Sequence, residues 1–299
     1  LILANTIAGP MQRLAIAAER VRHSVKARAE IPDFTDRSDE IGHLSGALRD
    51  MTDALYNRID AIESFAADVA HELKNPLTSL RSATETLPVV RDQESRMRLM
   101  DIIQHDVKRL DRLISDISDA SRLDAELARE DSGPVDLDDL LRATVSLYND
   151  IHLDDLPAVS LEIERAPGTY PYRIIGHDSR LHQVMVNLIE NAISFSPPRG
   201  RVAITARRRG TKIEILIEDE GPGIPPENLE RIFERFYTDR PHETFGQNSG
   251  LGLNISRQII AAHGGRLYAE NRPTPGAETG TANTKRSGGA RFVIRLSAA

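Results

Sequence analysis

Apolar residues recur at alternating steps of three and four positions along three long segments of the chain. Two apolar positions in every seven is the coiled-coil pattern, which is narrower than the apolar face of a helix in a globular core. Because so narrow a stripe buries little surface by itself, we expect helices that associate as a dimeric bundle. The three stripes are Ile7, Met11, Leu14, Ala18, Val21 and Val25; Ile41, Leu44, Leu48, Met51, Leu55, Ile62, Phe65 and Val69; and Met100, Ile103, Val107, Leu110, Ile114 and Ile117.

A short connector, residues 27–39, separates the first two helical segments. Pro32 lies in its middle and lacks the amide proton that a continuous helix needs. Ile31 and Phe34 are isolated apolar residues beside it. These features predict two helices with an extended connector, either as a plain helical hairpin or as a more specific two-helix module.

The second and third segments predict an antiparallel helical hairpin over residues 57–128. Pro88 ends its first helix, and Asp92 favours the start of the next one. Near His71 the apolar repeat contains an extra step of four residues, and Pro76 follows, so we expect a kink and a bendable segment there. Two such hairpins from two chains would form a four-helix bundle.

Beyond a linker at residues 129–134, which contains Gly133 and Pro134, the pattern changes. Strand-like alternation and two amphipathic helices then indicate a mixed α/β domain over residues 135–299. Residues 272–289 are rich in Gly, Thr, Pro and Ala and predict a flexible surface loop. The predicted strands cover residues 159–163, 202–205 and 213–218, with closing strands at Tyr268 and residues 292–294; the predicted helices run from Asp178, as N-cap, to about Phe195 and from about Gly250 to residues 263–265.

The composition narrows the class of protein. The 299 residues suffice for two or three domains, and a net charge of −7 argues against nucleic acid as a main partner. The absence of cysteine excludes disulfides and thiol chemistry. No apolar run approaches the roughly 20 residues that span a bilayer. Residues 1–8 are mostly apolar and lack an initiator Met, so we expect a membrane segment upstream, although an ordinary helix start gives the same pattern.

Four short segments in a fixed order carry the strongest indication of function. They are residues 71–80 (HELKNPLTSL), 187–192 (NLIENA), 219–223 (DEGPG) and 249–253 (SGLGL). Together they resemble the H, N, G1 and G2 boxes of the sensor histidine kinases. Residues 1–56 resemble a HAMP domain, and residues 65–123 are most similar to the ChvG/BvrS group of alphaproteobacterial envelope-sensing kinases.

The resemblance implies a multi-domain fold. An all-α HAMP domain would be followed by an antiparallel helical hairpin that forms a dimeric four-helix bundle, and then by an α/β sandwich ATP-binding domain. That ATP domain would be of the Bergerat type, which gyrase-like ATPases and heat-shock chaperones share. In agreement, the sequence has neither the Gly-Lys-Ser/Thr of a P-loop nor the His-Arg-Asp of a protein kinase loop.

The resemblance assigns a role to three residues of the first motif. His71 would be the phosphoacceptor, since a neutral imidazole has one unprotonated, nucleophilic nitrogen. Glu72 would hold the proton of the other nitrogen and orient the ring. Asn75, four residues later on the same helical face, would place water for dephosphorylation of the partner protein. The residues alone leave two alternatives open: that His71 is an inert surface histidine, and that Asn75 only forms a hydrogen bond near Pro76.

Four polar residues share one face of the predicted helix at 178–195: Asn187, Glu190, Asn191 and Ser194. Such a face can simply be solvated, but Asn side chains also suit Mg²⁺ and phosphate oxygens. The resemblance assigns Asn191 to Mg²⁺ and Asn187 to phosphate contacts. Glu190 would position a metal-bound water.

Ser194 departs from the family pattern, because many members carry Lys at this position. Phosphate affinity is then weaker, or another cation substitutes, with Arg240 as our candidate ahead of Arg235. Residues 231–237 resemble the F box, and residues 238–249 predict a lid over ATP.

Asp219 follows a predicted strand and can accept a hydrogen bond from the exocyclic amine of adenine. Gly221 and Gly223 then permit a turn without side chains, so that a base can approach the backbone. The same pattern occurs in ordinary turns, and it is the order of the four boxes that favours the G1 box. Gly250 and Gly252 would open a helix whose first amides cradle phosphate.

The implied reaction moves the γ-phosphoryl group of ATP to His71 and then to an aspartate of a response regulator receiver domain, with phosphatase activity toward that regulator. ATP and Mg²⁺ would be the cofactors. The protein would be a homodimer and the cytoplasmic portion of a bacterial inner-membrane protein. Two alternatives fit part of the pattern: a gyrase- or chaperone-type machine, which needs no His71, and a scaffold or phosphatase-only protein with a degenerate ATP site.

Overall fold

The structure, a computed structural model, describes residues 4–23, 28–129, 132–150, 156–165, 171–237, 249–272 and 288–299. It divides into two compact units, Leu1–Glu72 and Leu73–Ala299. The α-helices are α1 (Gly9–His23), α2 (Glu40–Thr86), α3 (Gln93–Arg129), α4 (Leu137–Asp150), α5 (Asp178–Phe195) and α6 (Gly252–Ala262). The strands are β1 (Gly133–Asp136), β2 (Ala158–Ile163), β3 (Arg173–Gly176), β4 (Arg201–Arg209), β5 (Lys212–Glu218), β6 (Arg266–Asn271) and β7 (Ala290–Ser297). Short helical turns lie at Ala4–Ala8, Pro226–Asn228 and Arg231–Phe233.

The first unit has a small core between α1, the connector and the start of α2. Its buried members are Leu14, Ala17, Val21, Ile31 and Ile41. Phe34 packs against this cluster. The two isolated apolar residues of the connector, Ile31 and Phe34, therefore hold the connector against the helices.

Polar side chains fasten the connector as well. The hydroxyl of the buried Ser45 accepts the N–H of Phe34 at 3.0 Å and donates to the carbonyl of Pro32 at 2.8 Å. Just before α2, the Nε of Arg37 donates to the Asp39 carboxylate at 3.0 Å. This pairing lowers the pKa of Asp39 to about 2. The path of the connector is thus fixed by hydrogen bonds as well as by apolar packing.

Helix α2 is continuous over 47 residues and keeps Pro76 inside it, next to the segment where a kink was predicted. It ends two residues before Pro88, as predicted. Asp92 precedes α3, and its Oδ1 accepts the N–H of Ser95 at 2.7 Å, which confirms the predicted helix start. Among the described residues, no helix combines the length and the apolar composition that crossing a membrane requires.

Much of the apolar stripe along the long helices is exposed in the single chain. In the first unit, exposed fractions between 41% and 61% belong to Leu44, Met51, Leu55 and Ile62. In the second unit, exposed fractions between 45% and 61% belong to Leu77, Met97, Met100, Val107 and Ile114. Surfaces of this kind suit packing against further helices.

The second unit contains a five-stranded mixed sheet in the order β2-β4-β5-β7-β6. Strand β2 pairs parallel with β4, and the other neighbours are antiparallel. Helices α4, α5 and α6 pack on the sheet, with Leu181 and Met185 of α5 and Ile215 of β5 fully buried. The predicted α/β sandwich is therefore confirmed.

Strands β1 and β3 form a separate antiparallel pair, and the sequence predicted neither of them, nor α4. Gly133 and Pro134, which were assigned to the linker, lie in β1 opposite Gly176 and Ile175. No local pattern indicates this strand, because its partner lies far away in the sequence.

The prediction that Asp178 caps α5 was wrong, since His177 has the extended backbone of the cap position. The N–H of His177 donates to Nε2 of His263 at 3.0 Å. Nδ1 of His263 lies 2.7 Å from the carbonyl of Ile259 and must donate to it. Because Nε2 can accept only when it carries no proton, this arrangement requires the neutral imidazole, and burial, aided by nearby His177, lowers the pKa of His263.

We expect the free energy of unfolding to fall between about pH 7.5 and about pH 5.5, partly because of His263. Its pKa in the folded protein lies below the ordinary 6.5, so the unfolded chain takes up the proton first and folding weakens as the pH falls. Urea unfolding at both pH values measures the difference. The difference in unfolding free energy between the two pH values should shrink in His263→Gln. It should persist in His43→Gln, which changes an exposed histidine. An equal difference in all three proteins would contradict this role.

Candidate functional site

The carboxylate of Asp219 lies directly after β5 and is only 3% exposed. Its Oδ1 accepts two backbone hydrogen bonds, from Gly221 N–H at 2.9 Å and from Ala290 N–H at 2.9 Å. Burial raises the pKa of Asp219, and these two bonds act in the opposite direction. Oδ2 makes no hydrogen bond to the described residues, so one acceptor is left for a ligand.

The glycine turn after Asp219 lies against the end of α5. A Cβ on Gly221 would come within 2.7 Å of the carbonyl oxygen of Phe195. Gly223 has φ +78°, a conformation that side-chain-bearing residues rarely adopt. The turn therefore needs Gly221 for close approach and Gly223 for its backbone conformation.

Helix α5 brings the predicted N-box residues to this region. Nδ2 of Asn187 donates to the carbonyl of Gly252 and to the hydroxyl of Ser256, both at 3.4 Å. The N box and the G2 box, 65 residues apart, thus meet through Asn187. Asn191 is half-buried, and its side-chain amide makes no hydrogen bond to the residues that the structure describes.

Glu190 is exposed on α5 near Tyr148 of α4. Burial of the phenol, and next the charge of Glu190, raise the pKa of Tyr148 to about 12. The hydroxyl of Ser194 donates to the carbonyl of Asn191 at 2.7 Å, on its own helix. The common Lys is therefore replaced by a group that supplies no positive charge. The predicted substitute, Arg240, lies outside the described residues.

Gly250 joins the start of the G2 box to the end of the F box. It has φ +74°, and a Cβ there would lie 2.7 Å from the backbone of Phe236. The N–H of Phe236 donates to the carbonyl of Gly250 at 3.0 Å. The predicted lid begins and ends at this junction, and residues 238–248 of it lie outside the described ranges. Helix α6 begins at Gly252 rather than at Gly250, because the left-handed Gly250 cannot be helical.

The F box packs into the core beside α6. Phe233 is 3% exposed and meets Phe292 edge to face at 6.4 Å between ring centroids. Nδ2 of Asn254 donates to the carbonyl of Phe233 at 2.7 Å. Helix α6, which begins within the G2 box, therefore also holds the F box in place.

Residues that the sequence did not indicate complete the surroundings of Asp219. Gly289 was assigned to a flexible loop, yet a Cβ on it would lie 1.9 Å from the carbonyl oxygen of Asp219. Arg272, at the other end of that loop, donates from Nη1 to the same oxygen at 2.9 Å. The two ends of the predicted loop therefore belong to the structure around Asp219. The pairing of strands brings them there, so the sequence alone did not indicate them.

Helix α3 also contacts the α/β domain. Nε2 of Gln183 donates to Oδ2 of Asp119 at 3.1 Å. The carboxylate of Asp116 is hydrogen-bonded to Ser249, whose hydroxyl accepts the N–H of Leu251 at 3.1 Å. Burial raises the pKa of Asp116. No sequence signal pointed to these α3 carboxylates, since they are ordinary polar positions of a helix.

The first motif lies on α2. His71 and Asn75 are exposed one helical turn apart, and Glu72 is half-buried. Pro76 is buried. The predicted phosphoacceptor is thus accessible on a regular helix.

Three family models match the chain. They are the HAMP domain over residues 2–57, the His Kinase A (phospho-acceptor) domain over residues 61–126, and the Histidine kinase-, DNA gyrase B-, and HSP90-like ATPase over residues 176–299. The second range contains His71, and the third contains Asp219 and both glycine boxes.

Relatives with known names agree with these matches. The chain is 56% identical over 303 residues to the sensor protein ChvG of Rhizobium meliloti, which confirms the predicted subgroup; the match covers 100% of this chain and 51% of that protein. It is 32% identical over 286 residues to the signal transduction histidine-protein kinase/phosphatase MprB of Mycolicibacterium paratuberculosis, covering 91% of this chain and 51% of that protein. The chain thus spans about half the length of these relatives. The crystal structure of histidine kinase ThkA in complex with response regulator protein TrrA matches with a TM-score of 0.59 at 25% identity, over 81% of this chain and 64% of that chain.

Replacing Asp219 by Asn should weaken ATP binding by about tenfold or more, which corresponds to about 1.4 kcal/mol. The amide keeps one oxygen for the two backbone N–H groups, but it turns a donor toward the adenine amine, where an acceptor is needed. Titration calorimetry measures the affinity. As a control, Glu220→Gln removes the same charge from an exposed neighbour and should bind ATP like the wild type. Unchanged affinity in Asp219→Asn would exclude the adenine role.

Proposed function

The chain belongs to the sensor histidine kinases, and we propose that it transfers the γ-phosphoryl group of ATP to His71 and then to an aspartate of a response regulator. One observation carries the proposal. An exposed histidine in the phospho-acceptor range and a buried carboxylate with a glycine turn in the ATPase range occur in the same chain. A gyrase- or chaperone-type machine would need only the second feature.

ATP would be held at its two ends. At the base end, Asp219 would accept a hydrogen bond from the adenine amine through Oδ2, which no described residue engages. At the phosphate end, the amides at the start of α6 suit phosphate oxygens. Arg240 would supply the charge that Ser194 lacks. The residues proposed to contact the nucleotide are Asn187, Glu190, Asn191, Asp219, Gly221, Gly223, Arg240, Gly250 and Gly252.

Asn191 fits the role of a Mg²⁺ ligand, because its amide is not engaged by the described residues and its neighbours would hold the phosphates. Sites for this ion commonly supply one or two protein ligands and leave the rest to water and phosphate. When bound, the ion would neutralise phosphate charge. Glu190, which is exposed beside Asn191, would orient a water on that side.

In the first transfer, one ring nitrogen of His71 would bond to the γ-phosphorus. The bond from that phosphorus to the β–γ bridging oxygen would break, and ADP would leave with the electron pair. Glu72 would orient the ring and accept the proton of the other nitrogen. In the second transfer, an aspartate oxygen of the regulator would bond to phosphorus as the His71 nitrogen leaves. Positioning and charge stabilisation would supply most of the rate.

The partners follow from different observations. The exposed apolar stripes of the long helices support a homodimer. The complex of ThkA with its response regulator supports a receiver domain as partner. The HAMP match supports the cytoplasmic portion of a bacterial inner-membrane protein, joined to the membrane upstream of this chain. The proposed domains, residues 1–56, 57–128 and 135–299, overlap the three matched ranges.

Incubation with Mg²⁺ and ATP that carries a radioactive γ-phosphate should label the protein at His71. The label should be acid-labile and alkali-stable, and mass spectrometry should map it to this residue. His71→Ala should abolish the label, whereas His43→Ala, at another exposed histidine of α2, should keep it. Label retained in His71→Ala would refute the phosphoacceptor. ATP binding without any label would favour a scaffold or phosphatase-only protein.

Phosphatase activity is supported by the exposed position of Asn75 one turn beyond His71 and by similarity to MprB, which is named a kinase/phosphatase. Asn75→Ala should keep autophosphorylation and slow the dephosphorylation of a receiver domain that the protein has phosphorylated. Timed loss of the aspartyl label measures this rate. The matched change Ser79→Ala, at an exposed residue of the same helix, should alter neither reaction. Equal loss of both reactions in Asn75→Ala would rule out the specific role.

A further inference from the structure

Asn271 ends the edge strand β6 and bonds to the main chain of Ile224, 47 residues earlier. The N–H of Ile224 donates to Oδ1 of Asn271 at 2.7 Å, and Nδ2 of Asn271 donates to the carbonyl of Ile224 at 2.6 Å. A side-chain amide carries the donor and the acceptor of a peptide group. Asn271 therefore pairs with the irregular segment after β5 as a residue of a neighbouring strand would.

The next residues along the chain hold Asp219 itself. Nη1 of Arg272 donates to the carbonyl of Asp219, and the N–H of Arg272 donates to the carbonyl of Gly289 at 2.9 Å. Gly289 in turn lies too close to Asp219 to carry a side chain. Asn271, Arg272 and Gly289 thus form a bracket across the end of β5.

Within this bracket, Asn271 holds the far side of the glycine turn. Oδ1 of Asp219 holds the near side, at Gly221. Beyond the left-handed Gly223, the hydrogen bonds of Ile224 to described residues all go to Asn271. Resting on the proposed function, we propose that Asn271 is a positioning residue of the nucleotide site, which holds the glycine turn at the distance from Asp219 that adenine requires.

The first test compares nucleotide affinity with turnover. Asn271→Ala should raise the KM for ATP in autophosphorylation by about tenfold and leave kcat at saturating ATP within about twofold, because the reacting phosphate lies at the other end of the nucleotide. The Kd for ADP should rise by the same factor, since ADP carries the same base.

A matched control separates positioning from general loss of stability. The buried Tyr172 hydroxyl donates to the carbonyl of Glu164 at 2.6 Å and lies 3.3 Å from that of Ala206, at the β2 edge of the sheet, opposite β6. Tyr172→Phe removes these buried hydrogen bonds and should lower the Tm of the nucleotide-free protein. It should change neither the KM for ATP nor the Kd for ADP.

A second variant keeps the shape of the side chain. In Asn271→Asp, an ionised carboxylate still accepts the N–H of Ile224 but repels its carbonyl. The Kd for ADP in Asn271→Asp should therefore rise by about tenfold at about pH 7.5, as it does in Asn271→Ala.

Three outcomes would overturn the inference: wild-type KM and ADP affinity in Asn271→Ala, the same rise of KM in Tyr172→Phe, or wild-type ADP affinity in Asn271→Asp at about pH 7.5. Should Asn271→Ala not fold, the ADP affinity of Asn271→Asp decides. Failure of the wild type to bind ADP would instead refute the proposed nucleotide site and is recognised before any variant is compared.

Discussion

Burial of the Asp219 carboxylate is the constraint on which the nucleotide lobe depends. A charge removed from water is costly unless hydrogen bonds replace the solvent. Two backbone N–H groups do so, from Gly221 in the following turn and from Ala290 at the start of β7. The same sheet pairing that places β7 beside β5 therefore holds the carboxylate through Oδ1, and Oδ2 makes no hydrogen bond to the described residues.

Close approach of backbones explains why the motifs of this lobe are built on glycine. Gly221 touches the end of α5, Gly250 touches the backbone of Phe236, and Gly289 touches Asp219. Each contact joins two segments that are separated in the sequence. A Cβ at any of the three would meet main-chain atoms, which cannot move away as a flexible side chain can. The glycines are thus the points at which separate segments are assembled into one site.

The helical part of the chain follows a different rule. Its narrow apolar stripes bury only part of their residues, and Met51, Ile62 and Ile114 are each more than half exposed. Ser45 and the connector residues Ile31 and Phe34 fix the first helices locally through packing and hydrogen bonds. The long helices therefore leave much of their apolar surface uncovered in the single chain, whereas the α/β domain buries its own core.

The sequence by itself determined the features that repeat locally. Heptad spacing predicted the long helices, alternation predicted β4 and β5, and the bounds of α5 and the position of Asp219 followed from short-range pattern and the ordered boxes. Only the tertiary structure decided the rest: β1 and β3, the cap at His177, and the placement of Asn271 and Gly289 beside the site. The reason is physical. Periodicity reports which side of an element is buried, but a hydrogen bond between remote segments is specified by the path of the whole sheet.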